Sequence, residues 1–203
     1  MRKRGYHHGN LREALVEAAI ALVAEKGPLG FTFADAARAA GVSPAAPYRH
    51  FKDRDALLDE VAREGFERFA VKLEAAWNDG QPSPLRAFEA VGQAYLDFAA
   101  ADRPLFAAMF LPRQEMEPAL RAASDRAFAV LLVAAARLAE HLPPERRPPA
   151  SMVSYHVWAF SHGIAELFTG EGQRRSPMAP GDLLEAGLGI YLRGLGILPD
   201  DPA

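Results

Sequence analysis

The segment from Thr32 to Phe51 constrains the fold more than any other, because it predicts two short helices joined by a tight turn. An alanine-rich run ends at Gly41, and glycine readily takes the left-handed conformation that closes a helix. Ser43 and Pro44 suit the start of a second helix, since serine caps a free N–H and proline at the first helical position loses no hydrogen bond. This second helix has barely two turns, so it needs support from neighbouring helices.

The outward face of the second helix has the composition of a segment that reads the major groove of DNA. Small residues at its start would let the backbone approach the groove, and Arg49 can reach a guanine edge. Neighbouring polar and basic side chains can bind phosphates, and the Thr32 hydroxyl can both cap its helix and bind a phosphate. The residues that we expect to contact DNA are Thr32, Ser43, Ala45, Ala46, Tyr48, Arg49, His50 and Lys52.

Short motifs run through the first third of the chain: Ala18-Ala19, Lys26-Gly27, Gly41-Val42-Ser43, Tyr48-Arg49-His50-Phe51-Lys52 and Leu57. Together they resemble the DNA-binding domain of the TetR/AcrR family of bacterial repressors. The resemblance implies a three-helix DNA-binding domain over residues 1–54, with its helix-turn-helix motif at 32–51. A helical ligand-binding and dimerisation domain would then occupy residues 55–203.

Pro47 departs from this family, which usually has an aliphatic residue at that position. It would lie at the fourth position of the second helix, where proline deletes a hydrogen bond and crowds the Ser43 carbonyl. We therefore expect the first turn of the reading helix to be distorted.

Charge is distributed unevenly along the chain, whose formal net charge is −3. Residues 1–54 contain nine Lys and Arg against five Asp and Glu, whereas the remainder contains 14 against 21. A basic first part suits a polyanionic partner. Arg2, Lys3 and Arg4 form a basic arm that is either a solubility tail or a contact to the DNA backbone or minor groove.

The residues that are missing exclude several functions. The chain has no cysteine, no Gly-x-Ser-x-Gly, no phosphate loop and no His-Glu-x-x-His, so we expect no enzyme, no cofactor and no metal site. It also lacks an apolar run of about 18 residues and an apolar N-terminal segment, which predicts a cytoplasmic protein.

The hydrophobic pattern predicts an all-α fold of about nine helices, without strands or repeats. After the helix-turn-helix, a long helix runs from Asp53 to Trp77 and stops at Asn78-Asp79-Gly80. The later helices are predicted at 85–98, 105–111, 117–142, 150–169 and 181–195. The last two expose more apolar surface than a small domain can cover, and this favours packing against a partner chain. The alternative is that both are core helices.

Aromatic and polar residues of the C-terminal part are candidates for an apolar ligand pocket. The stretch from Trp158 to Gly163 resembles the Trp…His-Gly signature of one C-terminal domain type in the TetR family. The candidate ligand-binding residues are Phe98, Phe106, Met109, Phe110, Phe128, Tyr155, Trp158 and His162. The alternative is plain core packing, with His162 bonded to a neighbouring carboxylate such as Glu166.

These observations predict a transcriptional regulator that binds a palindromic DNA operator as a homodimer through its last two helices. The TetR resemblance implies repression, relieved by a small-molecule effector of apolar or aromatic character. The alternative is a helical ligand-binding or scaffold protein whose affinity for DNA is incidental.

Overall fold

The computed structural model describes residues 11–169 and 177–199, and every regular element among them is helical. The expected all-α class is thereby confirmed. The α-helices are α1 (Leu11–Lys26), α2 (Phe33–Ala39), α3 (Arg54–Trp77), α4 (Pro84–Ala101), α5 (Arg103–Met109), α6 (Pro118–Leu138), α7 (Ala150–Thr169) and α8 (Pro180–Gly194). Short 3₁₀ helices span Pro47–Arg49, Asn78–Gly80 and Pro144–Arg146.

Within those two ranges, no helix is both long enough and apolar enough to cross a lipid bilayer.

The junction between α3 and α4 confirms the predicted helix stop. Asn78 and Asp79 have φ values of 42° and 51°, and Gly80 follows with 76°. These left-handed conformations end α3, since an α-helix cannot continue through them. The Ser83 hydroxyl then caps α4, and Pro84 occupies its first position.

The chain divides into two compact units. The first contains residues up to Phe66 together with Arg103–Arg121, and the second contains Glu67–Asp102 together with the chain from Ala122 onward. The first unit is thus larger than the expected DNA-binding domain of residues 1–54, because it also takes in α5 and the first half of α3. As a functional boundary, residue 54 stays a prediction.

A close approach of α3 and α5 holds the first unit together. A Cβ atom on Gly65 would lie 2.8 Å from both Cγ and Sδ of Met109 and 3.4 Å from Cβ of Leu105. Glycine at this position therefore lets the two helices pack closely. Leu105 and Met109 are buried by this contact and by the packing of α5 in the same unit as α1.

Hydrogen bonds of the Arg113 side chain connect the end of α5 to α3 within the same unit. Its Nε donates to Oδ1 of Asp59 at 2.7 Å, and its Nη2 donates to the Ala108 carbonyl at 2.9 Å. Nη1 donates to the carbonyls of Met109 at 3.2 Å and Leu111 at 2.9 Å. The side chain is only 11% exposed. Arg113 thus satisfies carbonyls that the end of a short helix leaves without partners.

The second unit is organised around α4, whose buried face includes Phe88, Tyr95 and Phe98. The ring of Phe69, from the second half of α3, lies 5.0 Å from the rings of both Tyr95 and Phe98. Such edge-on and tilted contacts between aromatic rings are favourable beyond the area that they bury.

A bidentate ion pair joins α3 to α6 on the surface of the second unit. Arg126 donates to both carboxylate oxygens of Glu74, at 2.8 and 2.6 Å. These hydrogen bonds lower the pKa of Glu74. Because both side chains are exposed, the pair contributes far less to stability than its geometry suggests.

Replacing Arg113 with methionine tests how much this side chain stabilises the first unit. Methionine keeps an apolar stem but leaves Asp59 and the carbonyls without their donor, so we expect the free energy of unfolding to fall by about 1–3 kcal/mol. Urea unfolding followed by circular dichroism measures the loss. Arg126→Met is the matched control, because it removes an arginine that also binds a carboxylate of α3 but is exposed. Equal unfolding midpoints for the two variants would contradict a special role of Arg113.

Candidate functional site

Thr32 and Asp35 form a reciprocal cap at the start of α2. The Asp35 N–H donates to Oγ1 of Thr32 at 3.1 Å, while the Thr32 N–H and hydroxyl donate to Oδ2 of Asp35 at 2.9 and 2.7 Å. These bonds from Thr32 lower the pKa of Asp35 to about 2. The predicted capping role of Thr32 is confirmed. A phosphate contact would require its hydroxyl proton to leave Asp35, so that second role stays a prediction.

The turn after α2 has the conformation expected from Gly41. Gly41 has a φ of 70°, and its N–H donates to the Arg38 carbonyl at 3.1 Å. The Val42 N–H donates to the Ala37 carbonyl at 2.9 Å. This pair of bonds is a Schellman motif, which satisfies the last carbonyls of α2 and turns the chain toward the next segment.

The segment from Ser43 to Phe51, here called the reading segment, is not the α-helix that the sequence predicts. Its only helical element is the 3₁₀ turn Pro47–Arg49. The Ala46 N–H donates to the Ser43 carbonyl at 2.9 Å, and the Arg49 N–H donates to the Ala46 carbonyl at 3.2 Å. Pro47 has no N–H, so it cannot make the bond that would start an α-helix here. The expected distortion thus extends through the whole segment, and Ser43 is not the cap of an α-helix.

Most of the predicted DNA contacts are accessible. Ala46 is half-buried, and the other seven are exposed: Thr32, Ser43, Ala45, Tyr48, Arg49, His50 and Lys52. Among the described residues, neither Arg49 nor Lys52 pairs with a carboxylate. Their charges are therefore available to an external anion.

Tyr48 is both exposed and held in place. Its ring meets that of Phe33 edge-on, with centroids 4.9 Å apart and an angle of 87° between the planes. The side chain is nevertheless 64% exposed. This contact with the buried Phe33 restrains the Tyr48 ring on one side. Sequence reasoning missed the role of Phe33, since the two residues are 15 positions apart.

A charged cluster contacts the reading segment at its last residue, Phe51. The guanidinium of Arg12 lies 5.2 Å from the ring centroid of the buried Phe51 and forms an ion pair with Glu60. Arg63 also donates to both carboxylate oxygens of Glu60, at 3.0 and 2.6 Å. The pKa of Glu60 is lowered to about 2, mainly by the bonds from Arg63. Only the three-residue spacing of Glu60 and Arg63 is visible in the sequence.

The candidate ligand-binding residues are divided between the two units. Phe106, Met109 and Phe110 belong to the first unit, where the ring of Phe110 lies 4.9 Å from that of Phe106 and 5.6 Å from that of Phe66. The other candidates belong to the second unit: Phe98, Phe128, Tyr155, Trp158 and His162. A ligand role for these residues stays a prediction.

Three of the candidates in the second unit form an aromatic cluster between α6 and α7. The ring centroid of Phe128 lies 4.7 Å from that of Tyr155 and 5.6 Å from that of Trp158. Tyr155 is exposed, while Phe128 and Trp158 are half-buried. The cluster therefore offers aromatic surface at the edge of the unit.

Tyr95 links this cluster to His162, a role that sequence reasoning missed. Nε1 of Trp158 donates to the Tyr95 hydroxyl at 3.1 Å, and that hydroxyl lies 3.0 Å from Nδ1 of His162. An indole N–H can only donate, and the Tyr95 hydroxyl that accepts it can donate in turn to Nδ1, an arrangement that suits a neutral His162. Burial raises the pKa of Tyr95. Burial also lowers the pKa of His162, against an opposing effect of Glu166.

The outward faces of α7 and α8 are apolar in part and contain glycines. Phe160, Leu167 and Ile190 are exposed, and Ile190 is 73% accessible. A Cβ atom added to Gly163 or Gly187 would meet nothing within 4 Å. Space above glycines on neighbouring helices allows another helix to approach closely.

Two family models match the chain. One, described as bacterial regulatory proteins of the tetR family, matches residues 15–61. The other, described as a tetracyclin repressor-like C-terminal domain, matches residues 88–190, which is half of the chain. Their order along the chain agrees with the resemblance found in the sequence.

Individual proteins agree with the family models. A structure of a protein of unknown function from Rhodococcus sp. RHA1 is 32% identical, with a TM-score of 0.78, and the match covers 95% of this chain and 98% of that one. The TetR family regulator PfmR from Thermus thermophilus shares the fold at 23% identity, with a TM-score of 0.66 and coverage of 88% and 97%.

A curated relative matches only the first part of the chain. The HTH-type transcriptional regulator BetI of Rhizobium meliloti (strain 1021) is 43% identical over 52 residues, which is 26% of each protein. The chain thus spans about a quarter of the length of this relative. Taken with the two family models, the comparisons show that the chain belongs to the TetR family and is a DNA-binding transcriptional regulator, not an enzyme.

Proposed function

We propose that this regulator binds a palindromic operator as a homodimer in the cytoplasm, represses transcription, and is released by a small apolar or aromatic effector. The observation that carries the proposal is the exposure of Tyr48, Arg49 and His50 on the reading segment, which Pro47 and Phe51 anchor by burial, and of Lys52 directly after it. Residues 1–54 would bind DNA, and residues 55–203 would bind the effector and the second subunit.

Arg49 is the side chain best suited to read sequence. A guanidinium can donate two hydrogen bonds to O6 and N7 of guanine, and this is the commonest specific contact in the major groove. Tyr48, His50 and Lys52 suit phosphate oxygens, which position a protein on DNA without reading its sequence. The reading segment thus separates recognition by Arg49 from affinity supplied by its neighbours.

A homodimer through α7 and α8 would account for their outward faces. Phe160, Leu167 and Ile190 would be covered by the second subunit, and Gly163 and Gly187 would allow its helices to approach closely. A twofold interface buries the same residues on both chains. It also supplies two reading segments, which meet successive major grooves when they are roughly 34 Å apart.

The aromatic cluster and His162 are the parts of the second unit that we assign to the effector. Three rings provide apolar contact, and the neutral imidazole provides one polar group for orientation, as in other small-molecule sites. The effector must bind better to the arrangement that cannot bind DNA, and a hundredfold loss of operator affinity requires a difference of about 2.7 kcal/mol. We expect α3 to transmit the change, because it contributes residues to both units.

Titration against DNA separates a specific regulator from a protein with incidental affinity. The purified protein is titrated at physiological salt with the DNA upstream of its own coding region and with scrambled DNA of equal length.

The Arg49→Ala variant should lose about 1–3 kcal/mol of binding free energy on the operator and little on scrambled DNA. Lys52→Ala should weaken both and reduce the salt slope by about one. Arg86→Ala, an exposed arginine of α4, is the control. Equal losses of Arg49→Ala on both DNAs would support incidental binding instead.

The dimer is tested by Ile190→Glu. A buried carboxylate on each side of a twofold axis destabilises the interface strongly, so we expect a monomer with weakened operator binding. Sedimentation velocity gives the oligomeric state. Val71→Glu changes an exposed valine of α3 and should leave the dimer unchanged. A dimeric Ile190→Glu variant would show that α8 is not at the interface.

The lowered pKa of His162 predicts a particular pH dependence. Its pKa is lower in the folded protein than the ordinary value of 6.5, so the unfolded chain binds more protons between the two values. The free energy of unfolding should therefore fall as the pH decreases through 6.5 and level off below the folded pKa.

His162→Asn, which keeps an acceptor near the position of Nδ1, should remove this part of the pH dependence. Urea unfolding from pH 7.5 to 5 measures it, with His156→Asn as the control, because His156 also contacts a tyrosine hydroxyl but is exposed. An unchanged pH dependence in His162→Asn would contradict the assignment.

A further inference from the structure

We propose that Pro47 determines which bases the reading segment contacts, although its own ring is buried and cannot touch DNA. This inference rests on the proposed operator binding and adds a residue that sets its specificity. Pro47 acts through the backbone, so it is a positioning residue.

The backbone bonds of the reading segment follow from the absent N–H. In an α-helix, the N–H of residue 47 would donate to the Ser43 carbonyl. That carbonyl instead accepts from the Ala46 N–H at 2.9 Å. Two more bonds with three-residue spacing follow, from the Arg49 N–H to the Ala46 carbonyl at 3.2 Å and from the His50 N–H to the Pro47 carbonyl at 2.9 Å. The Pro47 carbonyl also accepts from the Phe51 N–H at 3.0 Å, which is the spacing of an α-helical bond. Pro47 thus commits the part of the segment before Phe51 to tighter turns.

Tighter turns change which side chains share a face. The bonds from Ala46 to Ser43 and from Arg49 to Ala46 join residues three apart, and at three residues per turn such residues lie on one face. With 3.6 residues per turn, Ala45 would instead lie within about 40° of Arg49. We expect the hydroxyl of Ser43 to join Arg49 in facing the bases, with the small Ala46 between them.

Both ends of the reading segment have contacts that do not involve the ring of Pro47. Before it, the Schellman bonds of Gly41 and Val42 set the direction of the chain. After it, Phe51 is buried beneath the guanidinium of Arg12. A change at position 47 should therefore redirect side chains inside the segment while leaving its place in the first unit unchanged. Phosphate contacts from Lys52, beyond the segment, should persist.

Selection of binding sites from DNA with randomised half-sites tests this inference. The full-length protein is compared with Pro47→Ala and Pro47→Leu. Pro44→Ala is the matched control, because that proline is exposed and lies at the second position of the Ser43–Ala46 turn, where it removes no bond of that turn. Wild type and Pro44→Ala should select the same sequence, whereas both Pro47 variants should select a different one. On the wild-type site the Pro47 variants should lose about ten- to hundredfold in affinity.

Two further readouts distinguish repositioning from damage to the fold. Binding to scrambled DNA, and its dependence on salt, should stay within about twofold of wild type, because the phosphate contacts are retained. The new N–H at position 47 should be protected from hydrogen exchange in the Pro47 variants, since it can donate to the Ser43 carbonyl. Thermal melting shows which of the two variants is folded and fit for comparison.

The outcomes separate this inference from the proposed function. If the folded Pro47 variants select the wild-type sequence, or lose affinity equally for all DNA, Pro47 does not set specificity and the operator proposal is unaffected. If the wild type itself selects no common sequence, operator binding is overturned and this inference with it. A new selected sequence with unchanged binding to scrambled DNA supports both.

Discussion

The reading segment depends for its shape on the side chains that it buries. A stretch this short cannot hold a helical shape alone, since isolated helices of fewer than about 12 residues are marginal in water. Pro47 and Phe51 bury their rings on the inner side, while Tyr48, Arg49 and His50 remain exposed on the outer side. Burial on one side thus provides the rigidity that polar recognition needs on the other.

Local chemistry explains which helix ends and turns could be predicted from the sequence. Thr32, Gly41 and the stop at Asn78 act through backbone conformation and hydrogen bonds between near neighbours, so their residue types predict their roles. The same local features place the helix-turn-helix in the sequence, and this position predicts which residues are exposed for DNA contact. Pro47 indicated that the second helix is distorted, but the sequence did not show that a single 3₁₀ turn would replace it. The i→i+3 bonds of the Ala46 and Arg49 N–H groups compete there with α-helical bonds, and this competition cannot be read from one residue.

Contacts between distant residues account for most of what the sequence did not predict. Arg12 and Glu60, Tyr48 and Phe33, and Tyr95 and His162 are each separated by at least 15 positions. Helical periodicity assigns such residues to a face, but it does not say which other face they meet. For the same reason, the candidate ligand-binding residues were grouped by composition, and the structure divides them between two units.

The interleaving of the two units along the chain has a consequence for protein engineering. The first unit is discontinuous, because residues 103–121 return to it after the chain has already entered the second unit. A fragment that ended at residue 54 or 66 would lack Met109, which fills the space above Gly65, and Arg113, which binds Asp59. A chimeric regulator made by joining the N-terminal part of this chain to another protein would therefore need the graft of residues 103–121 as well. Recombination at a single point, by design or in evolution, would break a packing unit that two separate pieces of sequence must supply together.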